Sequence, residues 1–419
     1  MINRRSFLQG SLLGFGLVNT PAIIASPRKP TLRVLGTHVT LQEQIRQKAE
    51  QDLGFHIEFT PGGSAQVLQQ ASDRPDTFDV YEQWSNSVKV LWRSQSIQAL
   101  DSRRIRNWNE INNLAKQGRI TENAKLGAGD RPSKLLYVNS DNDLGSVEGN
   151  RISFLPYVHN ADSYAIDAAH IQPLASYQGE SWGRLLDSDF HGKVGIVNDP
   201  TIGLFDLILA VQAQKLMTFK DIGDLTYAEL DKLFEILVEY KRSGHFRGFW
   251  SSVPQSVEWM KSGQTHIQSM FSPGVAALNG SGINAVYAAP KEGYRAWHGV
   301  MCLSSQVDSE RKDMAYEFMN WWLSGWAGGF ISRQGYYISN PERAHQHMSD
   351  AEWAYWYQGQ PAETDLLGTD GHIVARPGDI RTGGSYEQRF ENIAVWNTVM
   401  STFEYSLTKW NELLLARSL

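Results

Sequence analysis

The sequence lacks the residue patterns on which most catalytic sites are built. Its single cysteine, Cys302, excludes an internal disulfide, and a lone thiol in an oxidising compartment is expected to be buried. There is no Walker-type loop, no Gly-x-Gly-x-x-Gly behind a strand, no His-Glu-x-x-His and no Cys-x-x-Cys. His345 and His347 form the one tight histidine pair, in a polar stretch without supporting carboxylates, which favours a solvated surface pair over a metal site. We therefore expect neither a metal nor a cofactor.

Basic charge is scarce as well. The formal net charge is -6, and it falls to about -8 once Arg4 and Arg5 are removed with the segment described next. Without a basic run, nucleic acids and anionic membranes are excluded as partners. A mildly acidic protein is compatible with a cationic ligand.

Long hydrophobic runs are absent, since no stretch reaches the ~20 apolar residues of a membrane span. The apolar run 11–18 instead follows Arg4-Arg5 and precedes a small-residue site at Ala25-Ser26. This order predicts a twin-arginine signal peptide over residues 1–25, cleaved near Ala25/Ser26. An ordinary signal peptide with a chance arginine pair is the alternative. Both place the mature protein in the periplasm, and the first adds the twin-arginine export machinery as a partner.

Aromatic residues, by contrast, are plentiful, with 14 Trp, 16 Tyr and 17 Phe. Most are expected in the core, and a minority could form an aromatic box, which grips cations or sugars. Roughly 390 mature residues are too many for one hydrophobic core and favour two lobes.

Strand and helix patterns alternate along the chain. Leu32–Leu35, Phe55–Thr60 and Phe78–Tyr81 are predicted strands separated by helices, which indicates an α/β fold with a largely parallel sheet. Two capping boxes are predicted, at Thr40 with Glu43 and at Thr226 with Glu229. Beyond Ser349 the tail carries two further helical patterns, over about 350–357 and 391–415.

Five short motifs occur in an order that resembles a known family. The chain is similar to periplasmic solute-binding proteins of ABC transporters, of the spermidine/putrescine-binding type, over about residues 31–345. The motifs are Phe78-Asp79-Val80 with Leu100-Asp101, Leu155-Pro156-Tyr157, Ser181-Trp182 through Gly192-Lys193-Val194, Ala289-Pro290-Lys291-Glu292-Gly293 with Trp297, and Ala315-Tyr316-Glu317-Phe318 through Gly335-Tyr336 and Asn340-Pro341.

The resemblance implies a two-lobed α/β fold of the type II periplasmic-binding-protein class, with a ligand cleft between the lobes and extra C-terminal helices. Lobe one would comprise 26–153 and 298–338, and lobe two 154–297 and 339–419. The chain would cross between them near 154–157, 289–297 and 336–340. The resemblance further implies a monomer that delivers a small-molecule ligand to a membrane permease.

The resemblance also implies a set of ligand-binding residues. In polyamine binders aromatic rings flank the methylene chain and acids meet the ammonium groups. The positions that correspond to such residues are Thr37, His38, Trp84, Asn86, Asp199, Phe271, Trp297 and Tyr336.

Two family acids are replaced in this sequence, by Ile202 and Gly299. Glu82 or Asp162, expected in loops facing the cleft, would have to take their place. Spermidine and putrescine are therefore expected to bind poorly, and a smaller amine, a quaternary ammonium compound or an amino-acid-like solute is favoured.

Three alternatives stay open at this stage. The chain could be a periplasmic enzyme exported by the twin-arginine route, although no nucleophile–base arrangement or metal motif supports one. It could bind a non-amine solute such as a sugar. It could also serve a chemosensor instead of a transporter.

Overall fold

The computed structural model describes residues 30–417, in which strands and helices alternate around one large sheet. The predicted signal peptide and its cleavage site lie outside the described residues. Within residues 30–417, no helix is both long and apolar enough to cross a membrane.

The strands vary from two to thirteen residues in length. In chain order they are β1 (Thr31–Thr37), β2 (His56–Gly62), β3 (Val80–Trp84), β4 (Ile97–Gln98), β5 (Leu100–Asp101), β6 (Ala128–Gly129), β7 (Tyr137–Val138), β8 (Leu144–Gly145), β9 (Arg151–Ile152), β10 (Leu155–Asp167), β11 (Val194–Val197), β12 (Phe246–Trp250), β13 (Ile267–Met270), β14 (Ala285–Tyr287), β15 (Tyr294–Ser304), β16 (Tyr337–Ile338), β17 (Leu366–Leu367), β18 (Ile373–Ala375) and β19 (Ile393–Trp396).

The α-helices surround this sheet. They are α1 (Glu43–Leu53), α2 (Ser64–Asp73), α3 (Val88–Arg93), α4 (Asn113–Gln117), α5 (Gly203–Ala213), α6 (Tyr227–Arg242), α7 (Val253–Lys261), α8 (Ser272–Gly280), α9 (Ser309–Trp322), α10 (Trp326–Ser332), α11 (Pro341–His345), α12 (Asp350–Trp356), α13 (Tyr386–Phe390) and α14 (Phe403–Leu415).

Two long antiparallel strands join the halves of the main sheet. The order is β12-β11-β13-β10-β15-β3-β1-β2, with parallel neighbours at either end and β10 against β15 in the middle. Every residue of β10 and β15 is buried. The crossings expected near 154–157 and 289–297 include only the first residues of these strands, because polar residues such as His159 and Asp162 interrupt the apolar pattern of strands that are covered on both faces.

The apolar residues form separate cores on the two sides of these strands. The first core draws on residues 32–158 and 297–336, and the second on residues 164–288 and 395–413. Cys302 is buried in the first, as expected for a lone thiol, and burial raises the pKa of its thiol.

The C-terminal extension, residues 349–417, packs across the middle of the molecule. Its strand β19 pairs in parallel with β15 and β6, and α14 then packs against α6. The predicted helix over 391–415 is therefore wrong in its first part. Ile393 and Val395 are β-branched and complete a sheet, and this tertiary pairing overrides the local helical pattern.

The capping predictions had different outcomes. The box of Thr226 and Glu229 is confirmed at the start of α6. The box at Thr40 is wrong, because α1 begins after Gln42 without a side-chain cap and the Thr40 hydroxyl accepts a hydrogen bond from Tyr157 at 2.9 Å.

We predict that the extension is part of the folded core. Trp396 is 1% exposed and its indole donates to the carbonyl of Leu126 at 3.2 Å. Trp396→Ala should lower the free energy of unfolding by about 3–5 kcal/mol, measured by urea denaturation. Trp353→Ala, at a half-buried position of α12, is the control and should cost clearly less. Equal losses from the two variants would contradict this placement.

Candidate functional site

Three predicted aromatic residues meet where β10 and β15 run side by side. Trp297 lies in β15, Trp84 ends β3, and Tyr336 precedes β16. The ring centroids of Trp84 and Trp297 are 4.5 Å apart, and those of Trp297 and Tyr336 are 5.7 Å apart. Trp297 and Tyr336 are buried, whereas Trp84 is half-buried. We call these three residues the aromatic cluster.

The carboxylate of Asp162 lies against this cluster. Its Oδ2 accepts a hydrogen bond from the Trp297 indole at 2.8 Å, and its Oδ1 accepts one from the Tyr287 hydroxyl at 3.1 Å. The Nη1 nitrogen of Arg295 lies 3.7 Å from Asp162 Oδ2. Burial raises the pKa of Asp162 to about 6, and the Arg295 charge and these hydrogen bonds offset burial only in part.

Arg295 is shared between two buried acids. Its Nε donates to Asp206 Oδ1 at 2.7 Å, and all three side chains are almost fully buried. Burial by itself would lower the pKa of Arg295, but the two carboxylates outweigh it and the pKa is raised. Two carboxylates with one guanidinium leave one negative charge in excess when both acids are ionised.

The expectation that Glu82 and Asp162 lie in loops facing the cleft is wrong. Glu82 is in β3 and Asp162 is in β10, and both are buried. Glu82 Oε2 accepts from the Thr37 amide at 2.9 Å and from the Thr37 hydroxyl at 3.1 Å. Burial raises the pKa of Glu82, and the hydrogen bonds from Thr37 oppose that shift. The Glu82 carboxylate and Thr37 thus form hydrogen bonds with each other inside the folded protein.

Asp199 and Phe271 lie just after the ends of the neighbouring parallel strands β11 and β13. Asp199 accepts two hydrogen bonds from Thr201, both at 2.7 Å, and one from Ser64 at 3.3 Å. The Phe271 ring packs on Trp250 with centroids 5.4 Å apart, in the apolar group that also holds Ile202. Asp199 therefore caps its own turn and joins the two sides of the molecule, because Ser64 belongs to α2.

The remaining predicted positions differ in exposure. His38 is exposed in the turn after β1. Asn86 is buried, and its Oδ1 has no hydrogen-bond partner among the described residues. At Gly299, opposite Trp84 in the sheet, an added Cβ would lie 3.1 Å from the Val158 carbonyl oxygen. That crowding favours glycine at this position over the family's acid.

The histidine pair and one serine motif are accounted for by local structure. His345 stacks on Trp353 at 4.1 Å, and no cluster of three or more potential metal ligands occurs within residues 30–417. Gly179–Gly183 has the Gly-x-Ser-x-Gly spacing of serine hydrolases. The Ser181 hydroxyl, however, donates to Glu292 at 2.6 Å and caps a short 3-10 helix.

Sequence reasoning missed Arg295, Asp206 and Tyr287. Asp206 lies in the first turn of the almost wholly buried helix α5, and the other two lie in buried strands. No motif marks them. A charged residue inside an otherwise apolar segment was the available signal, since buried charges need partners.

We predict a distinctive pH dependence of stability from Asp162. Its pKa of about 6 in the folded protein exceeds the ~3.9 of an unfolded aspartate, so between these values the folded state binds more protons. The free energy of unfolding of the wild type, relative to Asp162→Asn, should therefore fall by about 2–3 kcal/mol from pH 4 to pH 7.

Urea denaturation at several pH values measures this difference. Burial lowers the pKa of His298 to about 4 and that of His159 well below its usual value, so both histidines also make stability depend on pH in this range. The two proteins share this contribution, and the difference between them removes it. A difference between the two proteins that stays flat from pH 4 to pH 7 would show that Asp162 titrates normally.

Comparison with known proteins bears on the fold and the class. Residues 155–359 match the family model described as bacterial extracellular solute-binding protein. A search of curated proteins finds no match.

Several solved structures share the fold. The TpPotD lipoprotein of Treponema pallidum superposes with a TM-score of 0.63 at 13% identity, covering 92% of this chain and 99% of the other. A putative spermidine/putrescine ABC transporter protein of Listeria monocytogenes gives 0.64 at 12% identity, with coverage of 92% and 99%. The spermidine/putrescine-binding protein PotD of Streptococcus pneumoniae gives 0.59 at 12% identity, with coverage of 92% and 97%.

These structures confirm the predicted α/β periplasmic-binding-protein fold. At such low identity these structures show only the fold, whereas the match of residues 155–359 to the family model indicates the class of protein. That class binds solutes without transforming them, which sets aside the enzyme alternative. Over residues 155–359, just under half of the chain, the sequence is similar to bacterial extracellular solute-binding proteins.

Proposed function

We propose that the protein is the periplasmic solute-binding component of an ABC transporter and that its solute carries an amine-like cation. The single observation that supports this most is the Asp162 carboxylate, held by the Trp297 indole within the aromatic cluster. A carboxylate beside aromatic rings is the arrangement that favours an ammonium group, through charge-assisted hydrogen bonding and cation–π attraction.

The charge balance around Asp162 supports a cation over a neutral solute. Arg295 is the one ion-pair partner that Asp162 and Asp206 have among the described residues, and a cation bound beside Asp162 would balance the second carboxylate. The same burial that raises the pKa of Asp162 strengthens its attraction for an ammonium group once the site is closed to water. A sugar would leave this charge unbalanced.

A second ammonium group would find a weaker partner. Ile202 and Gly299 replace the family's other acids, and the Asp199 carboxylate already accepts three hydrogen bonds. We therefore infer a solute with one cationic end, and poor binding of spermidine and putrescine.

Transport would follow from closure of the two lobes, with the boundaries given above. The hydrogen bond from Ser64 to Asp199 and the one from Gln83 to the Ser64 carbonyl, at 2.7 Å, favour a closed arrangement in which α2 meets the turn after β11. A membrane permease would recognise this form. Export through the twin-arginine machinery, inferred from Arg4 and Arg5, places the protein in the periplasm.

We predict that Trp297→Phe weakens amine binding while the protein stays folded. The change removes the indole N–H that orients Asp162 and part of the cation–π attraction, so affinity should fall roughly 3- to 30-fold. Thermal shift with tetramethylammonium, glycine betaine, butylamine, putrescine and spermidine identifies the best probe, and calorimetry then measures its Kd for both proteins.

Trp321→Phe is the matched control. The Trp321 indole also donates to a carboxylate, that of Asp52 at 2.8 Å, on α1 and away from the cluster. The Trp321→Phe substitution should leave the affinity for the amine unchanged. Equal effects of the two substitutions, or submicromolar binding of putrescine or spermidine, would contradict the proposed site or its specificity.

A further inference from the structure

Two buried arginines of the C-terminal extension have no acid beside them. Arg389 is fully buried and Arg381 is 7% exposed, yet the ion pairs found within residues 30–417 include neither. Their neighbours are aromatic: Arg389 lies over Tyr287 and Tyr294, and Arg381 over Tyr337 and Trp356. A buried guanidinium that lacks a counter-ion is costly to the fold.

Arg381 sits where three parts of the chain meet. Its guanidinium donates to the Gly335 carbonyl at 2.9 Å, to the Ser272 hydroxyl at 3.1 Å and to the Tyr337 hydroxyl. All three acceptors are neutral. Burial accordingly lowers the pKa of Arg381, which shows how poorly its charge is compensated.

A small cavity opens beside this guanidinium. It has a volume of about 50 Å³, enough for a few water molecules or for one carboxylate group. Arg381, Ser272, Tyr287, Tyr355 and Asn279 contribute its polar lining, and no aspartate or glutamate is among the lining residues. The cavity is therefore cationic, in contrast to the surroundings of Asp162.

Tyr287 connects the cavity to the aromatic cluster. Its hydroxyl donates to Asp162 at 3.1 Å, while the residue also lines the cavity at Arg381. A solute lying along Tyr287 would thus have an acid at one end and a guanidinium at the other.

We propose that this cavity receives the carboxylate of the solute through Arg381, so that the transported ligand is an amino-acid-like zwitterion. The inference rests on the proposed function for the amine end, at Asp162. A carboxylate would supply the missing counter-ion, and the planar guanidinium suits it geometrically. The paired charges also explain why a molecule with two ammonium groups is the wrong ligand, since its second cation would face Arg381.

A series of compounds of matched length tests this on the wild-type protein. Each α,ω-amino acid from glycine to 6-aminohexanoate is compared by calorimetry with the diamine and the monoamine of the same carbon number. The best amino acid should bind at least tenfold more tightly than its diamine and its monoamine. Arg381→Gln should abolish that preference, whereas Arg376→Gln, exposed on the same extension, should retain it.

The outcomes separate this inference from the proposed function. If amines bind as tightly as amino acids at every length, the carboxylate site is wrong and the amine site stands. If carboxylates bind through Arg381 but no amine contributes, the amine site fails instead. If no compound binds at millimolar concentration, both are overturned. If Arg381→Gln does not fold, Arg381→Lys is used in its place. The compound series on the wild-type protein tests the carboxylate site without any variant.

Discussion

The sharing of Arg295 between two buried carboxylates is the interaction on which the middle of this molecule depends. Asp162 and Arg295 lie on β10 and β15, the two strands that join the halves of the sheet, and Asp206 reaches them from α5. Removal of the guanidinium would leave two unpaired buried acids, which costs several kcal/mol. The same arrangement leaves the Asp162 carboxylate only partly neutralised beside three aromatic rings. On the proposal made above, Asp162 therefore belongs both to the structural ion pair and to the binding site.

The C-terminal extension makes this central region unusually enclosed. Its strand β19 adds to the sheet beside β15, and Asn397 accepts a hydrogen bond from Arg295 at 3.2 Å. Its two buried arginines bring positive charge close to Tyr287, whose hydroxyl donates to Asp162. The extension therefore contributes to the fold and, on the proposal made above, to recognition of the solute.

Much of the fold could be predicted from the sequence, and less of the candidate site. Apolar patterns located β1 and β3, which lie in the core of the sheet, and the capping box located the start of α6. The length of β10 could not be predicted, since its polar residues find partners only in the folded state. Trp297 was found through a motif, whereas no motif marks Arg295, Asp206 or Arg381. Long-range packing determines whether a charged residue faces solvent, an acid or a cavity.

The most direct measurement of the central claim is the number of protons released when an amine binds. Calorimetric titration at pH 6, with the tightest-binding amine in two buffers of different ionisation enthalpy, gives this number. If the cation binds beside Asp162, whose pKa is about 6, about half a proton should be released at pH 6 and almost none at pH 8. Asp162→Asn should release none at either pH. Binding by the wild type without any proton release at pH 6 would contradict the account.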